Sequence, residues 1–91
     1  MNFGQAIEEA KAGKRIQRAG WNGKNMWVAL VPGADLRKHQ WVYEHCDGFN
    51  SPSPDTKVLP FFVMYTAQGA ILPGWLASQT DMTAEDWEVV L

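Results

Sequence analysis

Six consecutive apolar residues, Met26 to Val31 (MWVALV), place the hardest condition on how this chain can fold. In an extended segment side chains alternate, so Trp27, Ala29 and Val31 share one face and Met26, Val28 and Leu30 the other. Both faces are apolar, which suits a central strand covered on both sides. Turn signals bound the run: Asn22-Gly23 before it and Pro32-Gly33 after it. Asn-Gly favours a tight turn, so RIQRA, Arg15 to Ala19, is read as a strand joined to MWVALV through that turn.

The flanking segments extend this core. In NFGQAIEEAKAG, Asn2 is a helix cap with Gln5 three residues on, a capping-box spacing. Phe3, Ala6, Ile7 and Ala10 then fall on one face, Lys11 suits the negative end, and Gly13 can take the left-handed position that closes the helix. LRKHQWVYEHC is open between a short helix and extended structure. Asp47 to Lys57 (DGFNSPSPDTK) is a loop by composition, an excursion from the domain. PFFVMYTAQGAILPGW reads as a hairpin: Phe61 to Thr66, a connection at Ala67-Gln68-Gly69, and a return over Ala70 to Leu72. Ser78-Gln79-Thr80-Asp81 opens a short late helix, and WEVVL is a last strand with Trp87, Val89 and Leu91 on one face. The sum is a single α+β domain over residues 1–91, with an N-terminal helix packed on a small, mainly antiparallel sheet and a short late helix.

Ninety-one residues suit one compact domain with a modest core, so assembly of several copies would remove further apolar surface. Five Trp in so short a chain favour stacking or interfaces. The net charge of −2 divides unevenly: residues 1–40 sum to +4 and residues 41–91 to −6. That balance argues against gripping long nucleic acid through phosphates, and leaves room for a small anionic ligand. A single cysteine, Cys46, excludes an intrachain disulfide and fits a reducing cytoplasm. The first residues carry early acids, unlike a signal peptide, and the longest apolar run, LPFFVMY, is too short to span a bilayer.

His39, His45, Cys46 and Asp47 are metal-ligand types, but their spacing matches no closed zinc pattern, so no metal is expected. No nucleophile motif, Walker loop or dinucleotide fingerprint occurs, and no catalytic residue is assigned. Two stretches carry the candidate chemistry. In GWNGKN, Trp21 stands at a strand end near Arg18 and Lys24 and beside the turn amides of Asn22 and Asn25; a turn alone would also explain Asn22 and Gly23. Aromatic face, cation and free N–H groups together suit a nucleotide. In GWLASQTDMTAEDW, Ser78 and Asp81 are explained by a capping box. Trp75, Gln79, Thr80 and Asp86 are not. Asp86 follows the late helix, where the dipole disfavours a carboxylate, so it needs an Arg of the basic half or a donor on a ligand.

These residues resemble a known family. MNFGQAIEEAKAGKRIQRAGWNGKNMWV, LPFFVMYTAQG and PGWLASQTDMTAEDWEVV are similar to the second family of Thoeris anti-defence proteins of bacteriophages, with Arg37 to Thr56 the least typical part. The resemblance implies a non-enzymatic sponge without a cofactor. It would bind cyclic ADP-ribose isomers, chiefly glycocyclic ADP-ribose, and in some members cyclic dinucleotides. It would act in the host bacterial cytoplasm as a homotetramer with pockets between subunits. On that reading Trp21 and Trp75 stack on base or ribose, and Arg18, Lys24, Asn22 and Asn25 face the pyrophosphate. Ser78, Gln79, Thr80, Asp81 and Asp86 face ribose hydroxyls and the adenine edge, and Trp87 belongs to the core or an interface. An enzyme degrading the same signal, or a ligand-free interaction module, are the alternatives.

Overall fold

A computed structural model describes residues 1–46 and 52–91. Helix α1 (Phe3–Lys11) begins as its sequence dictates: the Asn2 side chain accepts from the Gln5 amide at 2.8 Å, and Gln5 Oε1 accepts from the Asn2 amide at 2.9 Å. It closes on Gly13, whose φ of 93° is the left-handed conformation that spares a Cβ clash. The Gly13 and Lys14 amides then donate back to Ala10 and Glu9.

Strands β1 (Ile16–Arg18), β2 (Trp27–Val31), β5 (Phe61–Tyr65), β6 (Ile71–Pro73) and β7 (Trp87–Val89) form one sheet in the order β6-β5-β2-β1-β7, each neighbour antiparallel. MWVALV is therefore central, as its two apolar faces require. The architecture is α+β: α1, this five-stranded sheet, and the short helix α3 (Gln79–Thr83).

The tight Asn22-Gly23 turn does not form between the strands. β1 stops at Arg18 and β2 starts at Trp27, and the left-handed residue of the intervening loop is Asn25, φ 63°. The chain leaves the sheet early because the Ala19 and Gly20 amides donate to Asp86, which draws the loop toward β7. Gly23 is needed there for space, since a Cβ would lie 2.6 Å from that of Ala67 and 2.5 Å from Met26 Sδ. The β5–β6 hairpin forms with its return strand one residue later than the sequence suggests, turning at Gly69 (φ 80°).

LRKHQWVYEHC resolves into a 3-10 turn (Leu36–Lys38) and helix α2 (Gln40–Cys46). This excursion is pinched at its base by two short strands, β3 (Ala34–Asp35) and β4 (Lys57–Val58), with Lys57 paired to Asp35. Of the expected loop over 47–57, residues 47–51 lie outside the described residues.

Register assigns the two faces of the sheet. Ile16, Val28 and Met64 line up on the α1 side and are buried with Ala6, Ala10 and Trp87. The alanines of α1 allow its backbone to approach the sheet closely. On the other face Gln17, Trp27, Ala29, Val31, Phe61, Val63, Tyr65 and Ile71 are only partly buried or exposed.

Candidate functional site

Arg18 ends β1 opposite Trp87 of β7, so its side chain points to the α1 side of the sheet. There it meets two carboxylates. Its Nε donates to Asp86 Oδ1 at 2.8 Å and its Nη1 to Asp81 Oδ1 at 3.0 Å. Asp81 reaches this position because it is the third residue of α3, where the capping box turns its carboxylate back: the Ser78 amide donates to Oδ2 at 3.2 Å, and Ser78 Oγ accepts from the Asp81 amide at 3.1 Å. Trp21 Nε1 adds a further donor to Asp81 Oδ1 at 3.1 Å. Asp86 is closed by the Gly20 amide, 2.7 Å from Oδ2. A Cβ on Gly20 would sit 2.7 Å from that same oxygen, so the position favours glycine.

The carboxylate that the helix dipole left unexplained is thus held by an arginine of the basic half. All four oxygens of Asp81 and Asp86 accept from the protein itself. The Arg18 and Gly20 hydrogen bonds hold the Asp86 carboxyl below its ordinary range, the Arg18 donor first, although partial burial works against them. At Asp81 burial opposes the charge most, but the donors from Trp21, Arg18 and Ser78 together outweigh it, and its carboxyl also lies low. The reciprocal bonds, Asp86 ahead of Asp81, raise the Arg18 guanidinium. All three groups are therefore charged at neutral pH.

Around this network stands an aromatic cluster. Trp21 meets Trp75 edge to face at 6.4 Å, and both lean on buried Trp87 at 5.4 and 6.3 Å. Phe62 supports Trp75 from the sheet at 5.9 Å. Trp21 and Trp75 keep part of their surface in solvent, whereas Trp87 is in the core, where its Nε1 donates to the Asp81 carbonyl at 2.8 Å. Asn22 and Lys24 on the loop and Gln79 and Thr80 on α3 are exposed, and their side chains have no hydrogen-bond partner among the described residues.

Of the sequence-derived candidates, then, Arg18, Trp21, Ser78, Asp81 and Asp86 form one hydrogen-bonded unit, with Trp75 joined by ring contact. Asn25 is not part of it. It lines an open cleft of ≈ 560 Å³ with Arg15, Gln17, Trp27, Tyr65 and Glu88, residues the sequence reading did not single out. Trp27 and Tyr65 stack there at 5.3 Å and 15°, Arg15 lies 5.3 Å over the Trp27 ring, and Gln17 donates to Glu88 at 2.9 Å. Strand alternation would have placed Gln17 and Trp27 on faces of their strands, but only the β1–β7 pairing brings Glu88 to Gln17.

A family model described as a Tad2-like, Thoeris anti-defense 2-like domain matches residues 1–90. The chain belongs to this family. Over 90 residues it is 33% identical to Thoeris anti-defense 2 of Bacillus phage SP01, covering 99% of this chain and 94% of that relative. Membership of the Thoeris anti-defense 2-like family supports a phage anti-defence role. The match spans all the elements that build the arginine–carboxylate network, from β1 to β7. Among the described residues no cluster of three His, Cys, Asp or Glu could hold a metal ion, and no helix is long and apolar enough to cross a membrane.

Proposed function

We propose that this protein binds and sequesters cyclic ADP-ribose-type immune signals, chiefly glycocyclic ADP-ribose, in the cytoplasm of the infected cell, without degrading them. The observation that carries this reading is the pair of partly buried indoles, Trp21 and Trp75, fixed beside an internally paired ionic network, with exposed polar side chains nearby in sequence that have no partner among the described residues. The indoles would take the adenine or ribose faces. Lys24 and the loop amide near Asn22 would take the pyrophosphate. Ser78, Gln79 and Thr80 would meet ribose hydroxyls and the adenine edge. A sponge works by mass action: to clear micromolar signal it needs affinity near the nanomolar level, about −12 kcal/mol. Preorganised contacts supply that better than area does.

The test is recovery. Protein mixed with glycocyclic ADP-ribose, purified and then denatured should release the intact cyclic nucleotide in chromatography. Linear or cleaved product would show an enzyme, and no retained ligand across a panel including cyclic dinucleotides would favour a pure interaction module.

We also assign a homotetramer, with pockets completed between subunits. Supporting this is the partly exposed apolar face of β2 and β5, edged on its β1–β7 side by Arg15 and Glu88. A copy packed on that face would cover it with opposite charges in reach. The mass in solution should be that of several chains, and Val63→Lys should lower it; a wild-type monomer at binding concentrations would refute the assignment.

A further inference from the structure

We infer that Arg18, Asp81 and Asp86 are positioning residues that act through Trp21, and that none of them contacts the ligand. The inference rests on the sequestration reading for its binding arm alone. Its basis is that all four carboxylate oxygens accept from protein donors, and that the guanidinium is turned inward to them with only 14% of the Arg18 side chain in solvent. The guanidinium points Nε and Nη1 at two different carboxylates, 2.8 and 3.0 Å away. Each carboxylate then reaches a different part of the loop: Asp86 holds the Gly20 amide at 2.7 Å, and Asp81 holds the Trp21 indole N–H at 3.1 Å. Backbone and side chain of one short stretch are thus fixed from two sides, and the Trp21 amide also donates to the Arg18 carbonyl at 3.3 Å.

The exposed part of the indole is therefore presented in one orientation before any ligand arrives. An eight-residue connection without these ties would have to be ordered during binding, which weakens affinity. The arrangement also couples α3 to the loop, since the Asp81 that caps α3 is the same Asp81 that orients Trp21.

Arg18→Lys separates this role from a direct phosphate contact. Lysine keeps the positive charge, but a single ammonium cannot reproduce the planar fork that serves both carboxylates. In ¹⁵N-labelled protein without ligand, the Trp21 indole N–H signal should move toward its solvent-exposed position and exchange faster in the variant. Affinity for glycocyclic ADP-ribose by calorimetry should fall about tenfold or more. Trp21→Phe keeps a ring and removes the N–H. Combined with Arg18→Lys it should cost clearly less than the two single losses multiplied, because both remove the same tie. Asp86→Asn, which keeps an acceptor for Gly20 but weakens the pull on Arg18, is the milder variant to use if Arg18→Lys does not fold; it should shift the same indole signal.

An unmoved indole signal in folded Arg18→Lys overturns the inference, as does a fully multiplicative double variant. If wild type binds no nucleotide, the sequestration reading fails while the indole signal still decides whether the lock exists.

Discussion

Trp87→Ala is expected to be the most destabilising single change in the molecule, by about 3–5 kcal/mol. Trp87 is 2% exposed and is the largest fully buried side chain. It is also a junction: Phe3 of α1 contacts its ring at 5.5 Å, and Trp21 and Trp75 meet it edge to face. Truncation would open a cavity among groups that rest on one another, so collapse could relieve little of it. The loss of the indole N–H also leaves the buried Asp81 carbonyl with the longer bond from the Ala84 amide, 3.4 Å, in place of the 2.8 Å indole bond, adding to the cost. A domain of this size holds about 5–15 kcal/mol in total, so the variant should be near its folding threshold. Urea unfolding followed by far-ultraviolet circular dichroism measures this directly. A loss under about 1 kcal/mol would contradict the burial assigned to Trp87. Trp87→Phe should lose less, since a ring still fills most of the space.

Asp81→Leu is the second large effect. Removing one partner of a buried ion pair costs about 3–5 kcal/mol, but Arg18 and Asp81 keep 14% and 12% of their side-chain surface in solvent and Arg18 retains Asp86. We therefore expect about 2–4 kcal/mol, including about 0.3–1 kcal/mol for the lost carboxylate in the first turn of α3, whose Ser78 cap remains. The change should also alter the response to acid. The Asp81 and Asp86 carboxyls both titrate below their ordinary range in the folded protein. Their stabilisation is therefore complete above the unfolded value, about 4, and declines as pH falls through the lower folded values. The stability gap between wild type and Asp81→Leu should accordingly be widest at neutral pH and shrink as the solution is acidified below about pH 4. Urea midpoints measured at pH 7 and pH 3 compare the two. A gap of constant size would mean that Asp81 contributes through packing and not through its charge.

What the sequence revealed and what it hid divide by the reach of the interaction. Both capping boxes, Asn2 with Gln5 and Ser78 with Asp81, were legible because each is settled within four residues. The central placement of Met26–Val31 followed from apolarity on both faces, a property of the segment alone. Asn22-Gly23 misled because the turn it favours is a local preference, and here it yields to Asp86, whose hold on Arg18 and Gly20 comes from 68 and 66 residues away. Asp86 stayed open between an arginine and a ligand donor for the same reason: a sequence displays carboxylates without their partners. The basic-to-acidic division of the chain did contain the answer in outline, since an arginine of the first half does satisfy the acids of the second.

That division also bears on the order in which the molecule acquires its parts. β2, β5 and β6 are neighbours both in space and, apart from the excursion, in sequence, so they can pair as soon as residue 73 is made. β1 cannot gain its second neighbour, nor Arg18 its acids, until residues 81–89 exist. Contacts across such separations form late because the intervening chain must first be ordered. The ties on the loop carrying Trp21 therefore span longer separations than the β2–β5–β6 pairings and are expected to form after them. The edge that carries Trp21 is thus the part of the fold most dependent on β7, and a defect that slows β7 from docking would leave the Trp21 loop without its ties.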